Sequence, residues 1–129
     1  MIRQNISGHS PYEATTGFSR AVRIGNHIFV AGTAPIAPDG GTAHPNDPYQ
    51  QTLTCLRIIR DAVERAGGSI QSVVRTVMYI TDRSHADEVA RAHGDVFREI
   101  RPAATMVVVA SLLRDDWTVE IEADAVVSD

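Results

Sequence analysis

The stretch Val119-Glu-Ile-Glu-Ala-Asp-Ala-Val126 constrains the fold more than any other part of the chain. Val119, Ile121, Ala123 and Ala125 fall on one side and Glu120, Glu122 and Asp124 on the other, the period of a strand with one buried and one polar face. The preceding run, Thr105-Met-Val-Val-Val-Ala-Ser-Leu-Leu113, has no such alternation. An apolar run of this kind predicts a strand buried on both faces. Three acids on one strand face also require cations, water or a ligand close by.

The rest of the chain supplies the other elements. Arg20–Arg23 starts a short strand, and Gly25-Asn26 signals a hairpin because both residues tolerate positive φ. His27–Gly32 is the return strand. Residues 33–48 hold four prolines and a Gly40-Gly41 pair, and read as a long loop. Asp47-Pro48 opens a helix, since an acid caps it and proline suits its first turn. Leu53, Leu56, Ile59, Ala62, Val63 and Ala66 form its apolar stripe, and Gly67-Gly68 stops it. Ser72–Thr81 is a strand. Asp82–Ser84 turns into a second helix with the stripe Val89, Ala92, Val96, Phe97 and Ile100, ended by Pro102 because the residue before proline avoids the α region. Ile2–Ile6 adds a short edge strand.

The resulting order, β-β-α-β-α-β-β, is of the α+β class, a single domain over residues 1–129 with two helices on one sheet face. With Thr105–Leu113 apolar on both faces, the second sheet face needs cover from outside the chain. A symmetric homo-oligomer is the economical solution. A strand tucked under the proline-rich loop is the alternative, although loops of this polarity bury poorly.

Composition removes several functional classes. The 129 residues carry a formal charge of −4, and every one of the 12 basic side chains is arginine. Scattered arginines on an acidic chain disfavour nucleic-acid binding. No apolar segment reaches the roughly 18 residues of a membrane span. Met1-Ile-Arg-Gln-Asn5 is not followed by the apolar core of a signal peptide. Cys55 is alone, which excludes an internal disulfide, suits a reducing compartment and reads as a small helix-core residue. A cytoplasmic protein is expected. His9, His27, His44, His85 and His93 lack metal-ligand spacing. Neither Ser7-Gly-His-Ser10 nor Ser111 sits in a nucleophile elbow, and no glycine loop carries a phosphate-binding lysine. Neither a metal nor a cofactor is expected.

Gly25-Asn-His-Ile-Phe-Val-Ala-Gly32, the two-helix middle, Arg101-Pro-Ala103 and Val119-Glu-Ile-Glu-Ala-Asp-Ala125, in this order and spacing, resemble the Rid family, also called YjgF/YER057c/UK114. The resemblance runs from about Ser10 to Val127. It implies a fold like that of chorismate mutase from Bacillus and a homotrimer whose sheets line a central barrel, with three small-molecule clefts between subunits. It also implies hydrolysis of reactive enamines and imines, such as 2-aminoacrylate, to 2-keto acids and ammonia.

The same resemblance assigns site positions and shows where this chain departs. In deaminases of the family an arginine two residues after the proline clamps the substrate carboxylate, a planar anion matched by its fork. Here that position is Ala104. The family tyrosine is Phe18, in Thr16-Gly17-Phe18. The serine or threonine before Gly32 is Ala31, and a common cysteine is Met106. Gly32, Pro102 and Ala103 are kept. Glu120 aligns with the acid that positions or activates water.

The expected site therefore has Glu120 as base, with Phe18, Ala31, Gly32, Arg101, Ala103, Ala104, Thr105 and Met106 around the substrate. An apolar pocket of Phe18, Ala31, Ala104 and Met106 would favour a less anionic compound than 2-aminoacrylate. Alternatives stay open at several positions. Glu120 is either a water-activating base or a structural acid paired with an arginine or backbone amides. Phe18 is pocket wall or core, and Met106, like Met78, also suits core filling. Glu122 and Asp124 read as a solvated or intersubunit polar face. Arg101 either replaces the missing arginine or is a helix-end cation; regular pleating places it opposite Ala104, roughly 10 Å away. Arg20, Arg23 and Arg75 are equally open. The expected activity is hydrolytic deamination with altered substrate preference. The alternatives are a non-catalytic ligand-binding or regulatory trimer and, third, the endoribonuclease role known for some family members.

Overall fold

The computed structural model describes residues 1–128; residue 129 of the expected domain lies outside the described residues. β1 (Arg3–Ile6) is the expected edge strand. One helical turn, α1 (Glu13–Thr16), follows, which the sequence pattern did not signal. β2 (Ala21–Ile24) and β3 (His27–Thr33) form the hairpin. Only Gly25 of the Gly-Asn pair takes positive φ, at 59°. α2 (Pro48–Arg65) starts where Asp47 accepts a hydrogen bond from the Gln50 amide at 3.0 Å. β4 (Val73–Ile80), α3 (Ala86–Phe97), β5 (Ala103–Val108) and β6 (Val119–Val126) complete the chain. No helix among the described residues is long and apolar enough to cross a membrane.

The six strands form one sheet in the order β1-β2-β3-β6-β4-β5. β4 and β5 pair in parallel, the other neighbours antiparallel. The alternation read from β6 holds: Val119, Ile121, Ala123 and Ala125 are buried, in one core with Leu56, Ile59 and Val63 of α2 and Val89 and Phe97 of α3. Cys55 belongs to the same core, where burial pushes its thiol pKa up and keeps it inert.

Two expectations are corrected. α3 stops at Phe97 rather than running to Pro102. The Arg101 amide donates to the Phe97 carbonyl at 2.8 Å, and Arg101 adopts φ 57°. The chain thus leaves the helix before the proline can clash with it, through a left-handed residue that an arginine adopts only under constraint. β5 is not buried on both faces. Its pairing ends at Val108; Ala103, Thr105 and Val107 are exposed, and Val108 keeps 53% of its surface. The cause is position: β5 bonds to β4 alone, so its second edge has no neighbour within the chain. Leu113, beyond the strand, is 84% exposed.

The proline-rich loop buries better than its polarity suggests. Ala34, Pro35 and Ile36 are buried, and Ile36 bridges to Thr42. The cause is Gln51, fully buried on α2. Its Nε2 donates to the carbonyls of Ala43, His44 and Asp116 at 3.3, 3.1 and 2.8 Å. Its Oε1 accepts from the amide and hydroxyl of Thr118 at 2.7 and 2.8 Å. One amide side chain thereby fastens the loop to the entry of β6.

Candidate functional site

The three acids of β6 differ in what they meet. Asp124 accepts from Arg75 Nη2 at 2.8 Å and Nε at 3.0 Å. Glu122 accepts a short hydrogen bond from the Tyr79 hydroxyl. Glu120 is half-buried and has no hydrogen-bond partner among the described residues. Burial raises its pKa above the ordinary carboxylate value; Arg20 opposes the rise and Glu122 adds to it. Among the described residues Glu120 has no hydrogen-bond donor, and Arg20 favours its charged form only through charge.

The shape of β3 makes room for this carboxylate. The β3–β6 register shifts between Val30 and Thr33, opposite Glu122 and one turn of the pleat from Glu120. Such an irregularity re-aims side chains. A Cβ placed on Gly32 would lie 2.9 Å from Glu120 Oε2, so the acid occupies the space that any side chain at position 32 would take. Gly32→Ala is therefore expected to displace the carboxylate rather than the backbone, because the crowded atom is the free end of a flexible chain. Any turnover that depends on Glu120 should fall roughly 10-fold while the unfolding midpoint changes little, a split that steady-state kinetics and thermal melting check together.

Arg20 lies on the other side of the Gly32 peptide. It is 5% exposed, and its Nη2 donates to the Gly32 carbonyl at 2.5 Å. Its Nε is buried without an acceptor, and its Cζ lies 5.7 Å from the centre of the Phe18 ring. The Ala31 amide donates to the Arg20 carbonyl at 3.0 Å. Phe18, Ala31, Gly32 and Glu120 are thus gathered around one buried arginine. Burial lowers the Arg20 pKa, while Glu13 and Glu120 raise it.

The other expected residues stand apart. Ala103, Ala104, Thr105 and Met106 lie on β5, with β4 between them and β6; two strand spacings are roughly 10 Å. The register puts Ala103 and Thr105 on the Glu120 face and Ala104 and Met106 on the helix face, where Met106 packs on the core. The expected pocket of Phe18, Ala31, Ala104 and Met106 does not close within one chain. Arg101 is exposed and precedes β5, so strand pleating does not govern its direction.

Of the three arginines left equal by the sequence, Arg75 pairs with Asp124 and Arg23 donates to the carbonyls of Ala66 and Gly25 at 2.7 and 2.9 Å. Only Arg20 is buried beside Glu120. Its signal was present in the hairpin: the Ala21–Val30 pairing sets residue 20 against residue 31, next to the glycine.

Comparison with known proteins identifies the family. Residues 8–127 match the family model described as "Endoribonuclease L-PSP". The crystal structure of Rv2704 from Mycobacterium tuberculosis, a member of the YjgF/YER057c/UK114 family, superposes with a TM-score of 0.88 at 41% identity, over 98% of this chain and all of that one. An uncharacterized protein of Streptomyces coelicolor, SCO2049, is 35% identical over 124 residues, 96% of this chain and 91% of its own. The structure of TdcF from E. coli with bound serine matches at 26% identity and a TM-score of 0.80, over 96% of this chain and 94% of that one. With its six-stranded sheet and these matches along nearly its whole length, the chain belongs to the YjgF/YER057c/UK114, or Rid, family.

Proposed function

We propose that this protein is a hydrolytic deaminase of small reactive imines and enamines, working where β5 of one copy meets Gly32 and Glu120 of another. The observation that carries the reading is Glu120, the β6 acid without a hydrogen-bond donor, held half-buried with a raised pKa. Such a carboxylate is suited to take a proton from water. As water oxygen bonds to the imine carbon, Glu120 receives its proton and the C=N electron pair moves to nitrogen. That proton passes to nitrogen to give the carbinolamine. Glu120 then takes the hydroxyl proton as the oxygen pair forms C=O and the C–N pair leaves with nitrogen, which receives this second proton and departs as ammonia.

The seam is supported by the exposed apolar β5 and by the separation of the two halves of the site. A homotrimer, as the family resemblance implies, would bring Ala103–Met106 of one copy to Phe18, Ala31, Gly32 and Glu120 of its neighbour. Ala104 offers no charged clamp, so the favoured substrates are less anionic than 2-aminoacrylate. That a relative, TdcF, holds serine supports a ligand of amino-acid size. The lone buried thiol fits a cytoplasmic setting.

A panel of freshly generated imines, from 2-aminoacrylate to bulkier and uncharged members, tests this. Ammonia release should be fastest for a member other than 2-aminoacrylate. A 2-aminoacrylate rate equal to that of an arginine-bearing relative would refute the altered preference. Ala104 also favours a second reading, a non-catalytic ligand-binding trimer. Ligand binding that survives in Glu120→Gln, with no turnover of any panel member by the unaltered protein, would establish it instead. The endoribonuclease reading rests on descriptions of the family and of its members, against a chain of net charge −4 without lysine.

A further inference from the structure

A cleft of 630 Å³ opens beside α2, between that helix, the segment Ser7–Ser10 and the proline-rich loop. Neither Glu120 nor Gly32 lines it; Arg20, which donates to the Gly32 carbonyl, is the one residue it shares with the site described above. Its volume lies within the range of small-molecule pockets, which are apolar cavities with a few placed polar groups. Ile36, Pro38 and Ile58 supply apolar wall.

The charged groups of the cleft are unequal. Arg65 is engaged, donating to the Ser7 carbonyl at 2.6 Å and lying 3.5 Å from Asp61. Arg57, exposed on α2, makes no ion pair or side-chain hydrogen bond among the described residues. Arg20 is the decisive residue. It lines the cleft, is 5% exposed, and has a buried Nε without an acceptor among the described residues. Its acidic neighbours do not pair with it directly. Glu13 is turned to the Gly8 amide, 3.0 Å from each carboxylate oxygen, and Glu120 lies against Gly32. A buried guanidinium short of acceptors is unfavourable until an anion meets it, and a carboxylate matches its fork best.

We propose that this cleft is a second ligand site, binding a small organic carboxylate with its head group against Arg20, Arg57 at the rim, and an apolar body along Ile36, Pro38 and Ile58. The site stands independently of the deaminase reading. Its occupant is an amphipathic anion rather than a reactive imine.

Hexanoate is a suitable probe, with hexan-1-ol as its neutral counterpart. Titration of the full chain at low salt, followed by methyl NMR, should show saturable binding of one hexanoate per chain with contacts from its methylenes to Ile36 and Ile58. Hexan-1-ol should bind at least about 10-fold more weakly, and Arg57→Gln, at a surface position where folding is not at stake, should weaken hexanoate roughly fivefold. Four results would overturn the proposal: no saturation up to about 10 mM, equal affinity for the alcohol, unchanged affinity in Arg57→Gln, or contacts confined to residues outside the cleft.

Discussion

Glu120→Gln should lower turnover of any imine substrate by at least about 100-fold, the usual contribution of a positioned general base. The substitution keeps the shape of the side chain and removes only its ability to hold a proton. Binding of substrate should survive, so the loss should appear in kcat rather than KM. In the unaltered protein, kcat/KM should fall as pH drops through the Glu120 pKa, because the base must be ionised, and that limb should lie above the ordinary carboxylate range near pH 4.3. The same shift has a sign for stability. A folded-state pKa above the unfolded value means that ionising Glu120 opposes folding. The penalty is absent below the ordinary carboxylate range and complete once the pH exceeds the folded value. Glutamine escapes it. At pH 7 the variant should therefore melt on the order of 1–3 °C higher, a small gain because the carboxylate keeps part of its water, and the gain should vanish near pH 4. Activity lost while stability rises is the pattern of a functional acid. A structural acid would give the opposite.

Gln51→Leu should produce the largest loss of stability. Leucine fills a similar volume but leaves the Thr118 amide and hydroxyl, and the carbonyls of Ala43, His44 and Asp116, without their partner. Each buried group left unsatisfied costs about 1–3 kcal/mol, and water entering the loosened loop offsets part of that, so a net loss of roughly 3–5 kcal/mol is expected. The midpoint of thermal unfolding, measured at fixed protein concentration, should fall by roughly 10–20 °C. A drop of only a degree or two would show that the loop does not depend on Gln51.

The sequence carried the fold because its strongest signals were periodic. The alternation of β6, the apolar stripe of α2 with its Asp47 cap, and the Gly25 hairpin each depend on local spacing. The site was less legible because it depends on contacts that spacing does not encode. Glu120 was reached through family resemblance; its lack of a hydrogen-bond donor became visible only when Tyr79 and Arg75 were seen to take Glu122 and Asp124. Arg20 was one of three equal arginines until burial separated it. The double apolar character of β5 does not reveal its place, because a strand in the middle of the sheet and one at its rim share that composition. Gln51 has no local signal of its role, because its five partners lie in the loops before and after the helix. The early end of α3 reflects a left-handed Arg101, a conformation that no local preference of arginine announces.

Sedimentation equilibrium of the unaltered chain, beside a Val107→Glu variant that places a charge on the open face of β5, tests the shared-site account most directly. The account predicts a mass three times the 14.0 kDa chain for the unaltered protein, and lighter species with loss of ammonia release for the variant. A single chain of 14.0 kDa at micromolar concentration, still fully active, would contradict it.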